Sequence, residues 1–131
     1  MQWSDRYATG IQHIDDQHKM IFKMSEDFRA ALDNEEGDRV YDSLLQGLDL
    51  YIRSHFQIEE ECMARYHCPV ADRNREAHGG FITFLAEFRQ RYEKKGFDPV
   101  DARDLVDGID RWLDDHICRI DVQLKGSVER A

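Results

Sequence analysis

His55 and Glu59 stand four residues apart in HFQIEEE, residues 55 to 61, inside a long segment of helical apolar periodicity. Residues i and i+4 project from one face of a helix, so an imidazole and a carboxylate converge where a leucine would ordinarily pack. Such a pair is a potential metal-ligand set. Taken alone it is more simply explained by a side-chain hydrogen bond, and a lone His on an apolar stripe is commonly a satisfied core residue. The choice between the two rests on what the other ionisable residues share with this pair.

Four apolar stripes position those residues. The helical pattern sets in near Asp15, with Ile14, His18, Ile21, Ser25, Phe28 and Leu32 in alternating steps of four and three, and stops at the polar cluster 33 to 37. A second helix is predicted from about Asp38 to Tyr66, with Tyr41, Leu44, Leu48, Ile52, His55, Glu59 and Cys62 on one stripe. His67, Cys68 and Pro69 make a break, because proline disfavours helix in the residue before it yet suits a first helical turn. The third stripe is Asn74, His78, Phe81, Leu85, Phe88 and Tyr92, closing at Lys94, Lys95 and Gly96. After Asp98 and Pro99, which match an N-cap and first-turn proline, the fourth carries Leu105, Ile109, Trp112, His116, Ile120 and Leu124.

Comparable helices joined by short connections predict an all-α, antiparallel up-down four-helix bundle over residues 15–131, a single domain preceded by an arm, 1–14, that carries Trp3, Tyr7 and Gly10. In that topology the starts of helices one and three share an end of the bundle with the finishes of helices two and four. His18 and His78 come early in odd helices, and His55 and His116 late in even ones. All four are therefore predicted to meet in one layer. Four imidazoles cannot satisfy one another, whereas a metal would satisfy them together. Glu59 joins by its relation to His55. Asp121 follows His116 by five residues, which on a regular helix turns it roughly 140° away, so a helix distortion or a long reach is needed to bring both together.

Composition narrows the chemistry. A chain of 131 residues buries a core without metal or disulfide staples, so a bound metal would be functional. The net charge of -9, from 27 acidic and 18 basic residues, argues against nucleic acid and anionic membrane surfaces as partners. Cys62, Cys68 and Cys118 form no CxxC pair, and the N-terminal stretch has no secretory pattern, so free thiols in the cytoplasm are expected. Imidazoles with carboxylates suit iron, manganese or zinc rather than calcium or copper(I). The Glu-x-x-His pairs of ferritin-like di-metal sites are missing, and only Asp15 precedes a His at that spacing.

Together, GIQHIDDQH (10 to 18), HFQIEE (55 to 60), Met63, Pro69, HGGF (78 to 81) and WLDDHICRID (112 to 121) resemble bacterial hemerythrins over nearly the whole chain. The resemblance implies a non-haem, carboxylate-bridged pair of iron ions that binds O2 reversibly. It implies that His18 and His55 hold the iron that accepts O2, His78 and His116 the second iron, and that Glu59 and Asp121 bridge. One family ligand, a further His four residues before His78, is Asn74 here, and an amide oxygen is a weaker ligand than imidazole. Cys62, one turn beyond Glu59, is a candidate substitute donor, although packing as a small hydrophobe is the simpler account of it. Cys68 replaces a tyrosine usual in the family. Phe22, Phe56, Trp112, Leu113, Ile117 and Ile120 are expected to form an apolar wall around the O2 pocket.

Three functions follow as expectations: an O2-binding carrier, store or sensor that is not an enzyme; a di-iron peroxidase, oxidase or NO-reactive enzyme using an open position beside Asn74; and a metal- or redox-sensing module using the cysteines. The sequence names no protein partner.

Overall fold

Long runs of helix formers, interrupted only at a few turn residues, fold as their periodicity demands. The computed structural model describes residues 1–130. A 3-10 turn at Asp5–Tyr7 leads into α1 (Gln12–Asp33), α2 (Gly37–Arg65), α3 (Ala71–Lys95) and α4 (Pro99–His116), then a π-helical segment (Ile117–Asp121) and α5 (Gln123–Glu129). Among the described residues there is no strand, and no helix is long and apolar enough to cross a membrane.

Side-chain pairings fix the directions. Early α1 meets late α2 at His18 and Glu59, while late α1 meets early α2 at Phe28 and Tyr41, ring centroids 5.6 Å apart. The α2–α3 pair repeats this at Glu59 with His78 and at Tyr41 with Tyr92. Asn74 with His116, and Arg91 with Asp101, do the same for α3 and α4. With α4 packed on α1, the four long helices close an antiparallel up-down bundle.

Two boundaries differ from the sequence reading. α1 starts at Gln12 rather than Asp15, because Asp15 turns back to accept hydrogen bonds from the Thr9 N–H and hydroxyl, each 2.8 Å, and so ties the arm to the helix. The fourth helix does not run unbroken to Leu124. Its regular course ends at His116, and five π-helical residues precede α5.

The connections are as short as the composition foretold. At the α1–α2 turn, the Glu35 and Glu36 N–H groups donate to Leu32 O (3.1 Å) and Ala31 O (2.8 Å), with Glu35 left-handed at φ 58°. The α2–α3 turn copies this with His67 at φ 51° and the Cys68 N–H donating to Met63 O at 2.9 Å. His67 thus terminates a helix. Gly96, at φ 75°, ends α3, and Asp98 caps α4 by accepting from the Val100 N–H at 2.8 Å.

Apolar side chains divide into two clusters. The larger contains Phe22, Phe28, Leu48, Phe56, Leu105 and Leu113 and fills most of the bundle. The smaller, Met63, Cys68, Val70, Ile120 and Leu124, plugs the end nearest the α2–α3 turn. Between them along α2 and α4 lie Glu59 and His116. Gly108, which looks like a weak point in α4, lets the Phe84 ring of α3 sit against the α4 backbone where a Cβ would collide.

A non-glycine residue in the left-handed region carries a steric cost that glycine avoids. Glu35→Gly should raise stability by about 0.5–1 kcal/mol, read as a higher urea midpoint with unchanged m-value.

Candidate metal centre

Each long helix brings polar groups to the layer between the two apolar clusters: His18 from α1, His55 and Glu59 from α2, Asn74 and His78 from α3, and His116 from α4, with Asp121 from the π-helical segment. None is more than 3% exposed. All four imidazoles turn Nε2 towards the carboxylates.

The carboxylates divide their oxygens between two pairs of histidines. Glu59 Oε2 is 3.0 Å from His18 Nε2 and 3.3 Å from His55 Nε2, while Oε1 is 3.0 Å from His78 Nε2 and 3.9 Å from His116 Nε2. Asp121 places Oδ2 3.2 Å from His18 Nε2 and Oδ1 3.0 Å from His116 Nε2. Two donor groups result, His18/His55/Glu59 and Glu59/His78/His116/Asp121, each with its ligand atoms within 4.8 Å of one another. Both groups fit a borderline cation of the iron, manganese or zinc type by donor chemistry.

Asp121 reaches this layer because of the π-helical segment. The Val122 N–H donates to Ile117 O at 3.0 Å, an i to i+5 bond that widens the turn and brings residue 121 to the side of residue 116. The distortion that the spacing required is therefore present.

Asn74 lies at the centre of the second group, its carboxamide 2.8 Å from His116 Nε2. With its nitrogen inward, its two N–H groups lie within reach of Glu59 Oε1 (3.1 Å) and Asp121 Oδ1 (3.2 Å), with His78 Nε2 at 2.9 Å. The carboxylate oxygens repel an amide oxygen but accept from N–H, so this orientation suits the metal-free cluster. Cys62 is not brought to the layer and belongs to neither donor group. It lines a surface cleft with Ile11, His13, Ile58, Arg65 and Tyr66, because the residue after Glu59 and His55 on the α2 stripe is in fact Met63. Burial and the Glu59 charge raise its thiol pKa, which disfavours a thiolate. Cys68 packs in the apolar plug.

The apolar wall also differs from the single surface expected. Phe22, Phe56, Leu113 and Ile117 are buried in the large cluster, with Trp112 packed against it, but Ile120 faces the opposite side among Met63, Cys68 and Leu124. Ile117 and Ile120, three residues apart in the π-helical segment, thus pack in different clusters. Two aromatics also grip the ligand rings: Phe56 stacks on His78 at 3.7 Å and 2°, and Trp112 on His116 at 4.3 Å and 12°.

The outward nitrogens reveal residues that the sequence did not single out. His55 Nδ1 is 2.7 Å from Gln17 Oε1, and His78 Nδ1 is 3.0 Å from Glu60 Oε2. Among the described residues, His18 Nδ1 is buried without a partner. Gln17 and Glu60 each adjoin a member of the buried layer in sequence. Their one available signal is a polar side chain at the edge of a stripe.

Without metal the layer is electrostatically divided. Burial pushes His18 down, but hydrogen bonds to Asp121 and Glu59, with their charges, outweigh it and raise its pKa to about 10. The same opposition raises His116 to about 9. His55, for which burial outweighs Glu59, is lowered. Burial would raise Glu59, yet the hydrogen bonds of His116, His18, His55 and His78 hold it well below the usual carboxylate range. Protons on His18 and His116 thus occupy the place that a cation would fill.

Residues 9–126 match the family model described as the Hemerythrin HHE cation binding domain. The chain is 33% identical over 115 residues to a Bacteriohemerythrin of Stenotrophomonas maltophilia, covering 88% of this chain and 72% of the relative. A Bacteriohemerythrin of Pseudomonas aeruginosa matches at 33% over 116 residues with the same coverage. One of Clostridium acetobutylicum matches at 24% over 126 residues, 91% of this chain and 94% of the relative. A family match over most of the length, together with the bundle and its buried His/carboxylate layer, makes this chain a member of the hemerythrin family.

Proposed function

We propose that the chain holds two non-haem iron ions and binds O2 reversibly, as a carrier, store or sensor. The observation that carries this reading is the division of Glu59 and Asp121, each of which turns one oxygen to the His18 side and the other to the His78/His116 side. Such splitting is what a bridging carboxylate requires. His18 and His55 would hold one ion, His78 and His116 the other, with Glu59 and Asp121 shared. When bound, the iron pair supplies the electrons that make O2 binding reversible.

The chain's own residues supply the rest. Phe56 and Trp112 fix the planes of His78 and His116, and Gln17 and Glu60 orient the His55 and His78 rings through Nδ1, leaving Nε2 free to ligate. Phe22, Leu113 and Ile117 exclude water from one side of the layer, and Met63, Ile120 and Leu124 from the other. Asn74 would hold the second ion through its amide oxygen, a weaker donor than imidazole. A cytoplasmic, reducing compartment suits the three free cysteines.

Asn74 also favours a second reading, a di-iron peroxidase or oxidase, because a weak amide ligand leaves a position that a substrate oxygen could take. Metal content on anaerobic purification, followed by spectra on adding and removing O2, separates the two. Two irons per chain and a visible band that appears with O2 and disappears on its removal support the carrier reading. One iron, or irreversible conversion to a ferric product, overturns it, and peroxide turnover would then favour the enzyme.

Two further outcomes follow. Since His18 and His116 carry protons up to about 10 and about 9 in the metal-free protein, metal must displace them at neutral pH. Apparent affinity for ferrous iron should therefore rise from pH 6.5 to 8.5, with proton release detected by calorimetry in buffers of different ionisation enthalpy. Ile117→Thr, which brings a hydroxyl into the dry side of the layer, should accelerate decay of the O2-dependent band severalfold in stopped-flow traces.

A further inference from the structure

The two histidine pairs are supported differently. Behind His55 stands a neutral amide, Gln17, with Oε1 2.7 Å from Nδ1. Behind His78 stands a carboxylate, Glu60, with Oε2 3.0 Å from Nδ1, while the other face of the same ring meets Glu59 Oε1 at 3.0 Å from Nε2. The imidazole is thus strung between two carboxylates, Glu59 within the layer and Glu60 outside it. Phe56, stacked on His78 at 3.7 Å and 2°, leaves the ring little freedom to leave that line. Glu60 is half-buried on the wall of a surface cleft with Arg53, Gln57, Ala64 and Ile82, so its charge is partly shielded from solvent at the point where it meets His78.

A carboxylate accepting from Nδ1–H draws that proton towards itself and leaves more electron density on Nε2, so the ring donates more strongly to a cation; an amide does this far less. The carboxylate backs the histidine of the pair that contains Asn74, the weak ligand. We propose that Glu60 is a positioning residue that strengthens His78 as a metal donor and so offsets the missing imidazole at position 74, making the second metal position usable. This rests on the two-metal reading above. Gln17 shows what a neutral support looks like at the equivalent place on the other pair.

The test uses full-length protein, ferrous iron or cobalt(II) under anaerobic conditions, and a competing chelator to obtain the two stepwise affinities. Glu60→Gln keeps a hydrogen-bond acceptor of the same shape without the charge, and Glu60→Ala removes both. The second equivalent should bind about tenfold more weakly in Glu60→Gln and up to about 100-fold more weakly in Glu60→Ala, with the first equivalent unchanged. Combining each with Asn74→His distinguishes compensation from a packing role, because a restored imidazole should shrink the Glu60→Gln penalty, whereas a packing role leaves it the same size. Melting curves of the metal-free variants verify that the bundle still forms. Unchanged second-site affinity in Glu60→Gln, or an equal penalty in the Asn74→His background, overturns the proposal while leaving the two-metal reading intact. Failure of the unaltered chain to take a second equivalent overturns that reading itself.

Discussion

Four imidazoles and two carboxylates share one water-excluded layer, and the bundle is arranged around the cost of holding them there. An isolated buried charge costs several kcal/mol, and removing one partner from a buried ionic set leaves the others uncompensated. Glu59 carries the greatest share of this burden. It is fully buried and faces all four histidines, so every long helix, α2 included through His55, contributes an imidazole to a carboxylate that α2 supplies. The apolar clusters above and below make that attraction effective by keeping the dielectric low. Stability and binding are thus coupled, because the dry packing that strengthens the cluster also demands that its charges be balanced by protons or metal.

Local helical order is relaxed at the place where the layer needs it. A regular helix through residues 117 to 121 would preserve its hydrogen-bond ladder but aim Asp121 away from His116. The π-helical segment exchanges regular i to i+4 bonds for a side chain delivered into the site. The extra residue also rotates Ile120 past Ile117, which places it in the plug rather than in the larger core. One backbone irregularity accounts for both a ligand candidate and the division of the apolar wall.

The two halves of the layer differ in how they achieve donor strength. On one side His18 and His55 meet shared carboxylate oxygens with neutral or no support behind them. On the other, an amide occupies a central position while aromatic stacking and an outer carboxylate restrain the rings. The cysteines contribute nothing to this contrast. Cys62 lies in a surface cleft with its thiol pKa raised, and Cys68 is a plug residue.

Periodicity in the chain determined the four helices, their antiparallel order and the meeting of His18, His55, Glu59, His78 and His116, because a stripe with a 3.6-residue repeat has only one way to face a core. Residue spacing also showed that Asp121 required a distortion, but could not show that one existed, since a π-helical turn depends on what surrounding side chains reward. Tertiary structure alone decided that Cys62 points elsewhere and that Ile120 parts from Ile117. It alone assigned Gln17 and Glu60 to the outer nitrogens of His55 and His78. Those contacts join residues on different helices, or turn on where the next side chain along a stripe packs, and no pattern within a single segment encodes the distance between two helices.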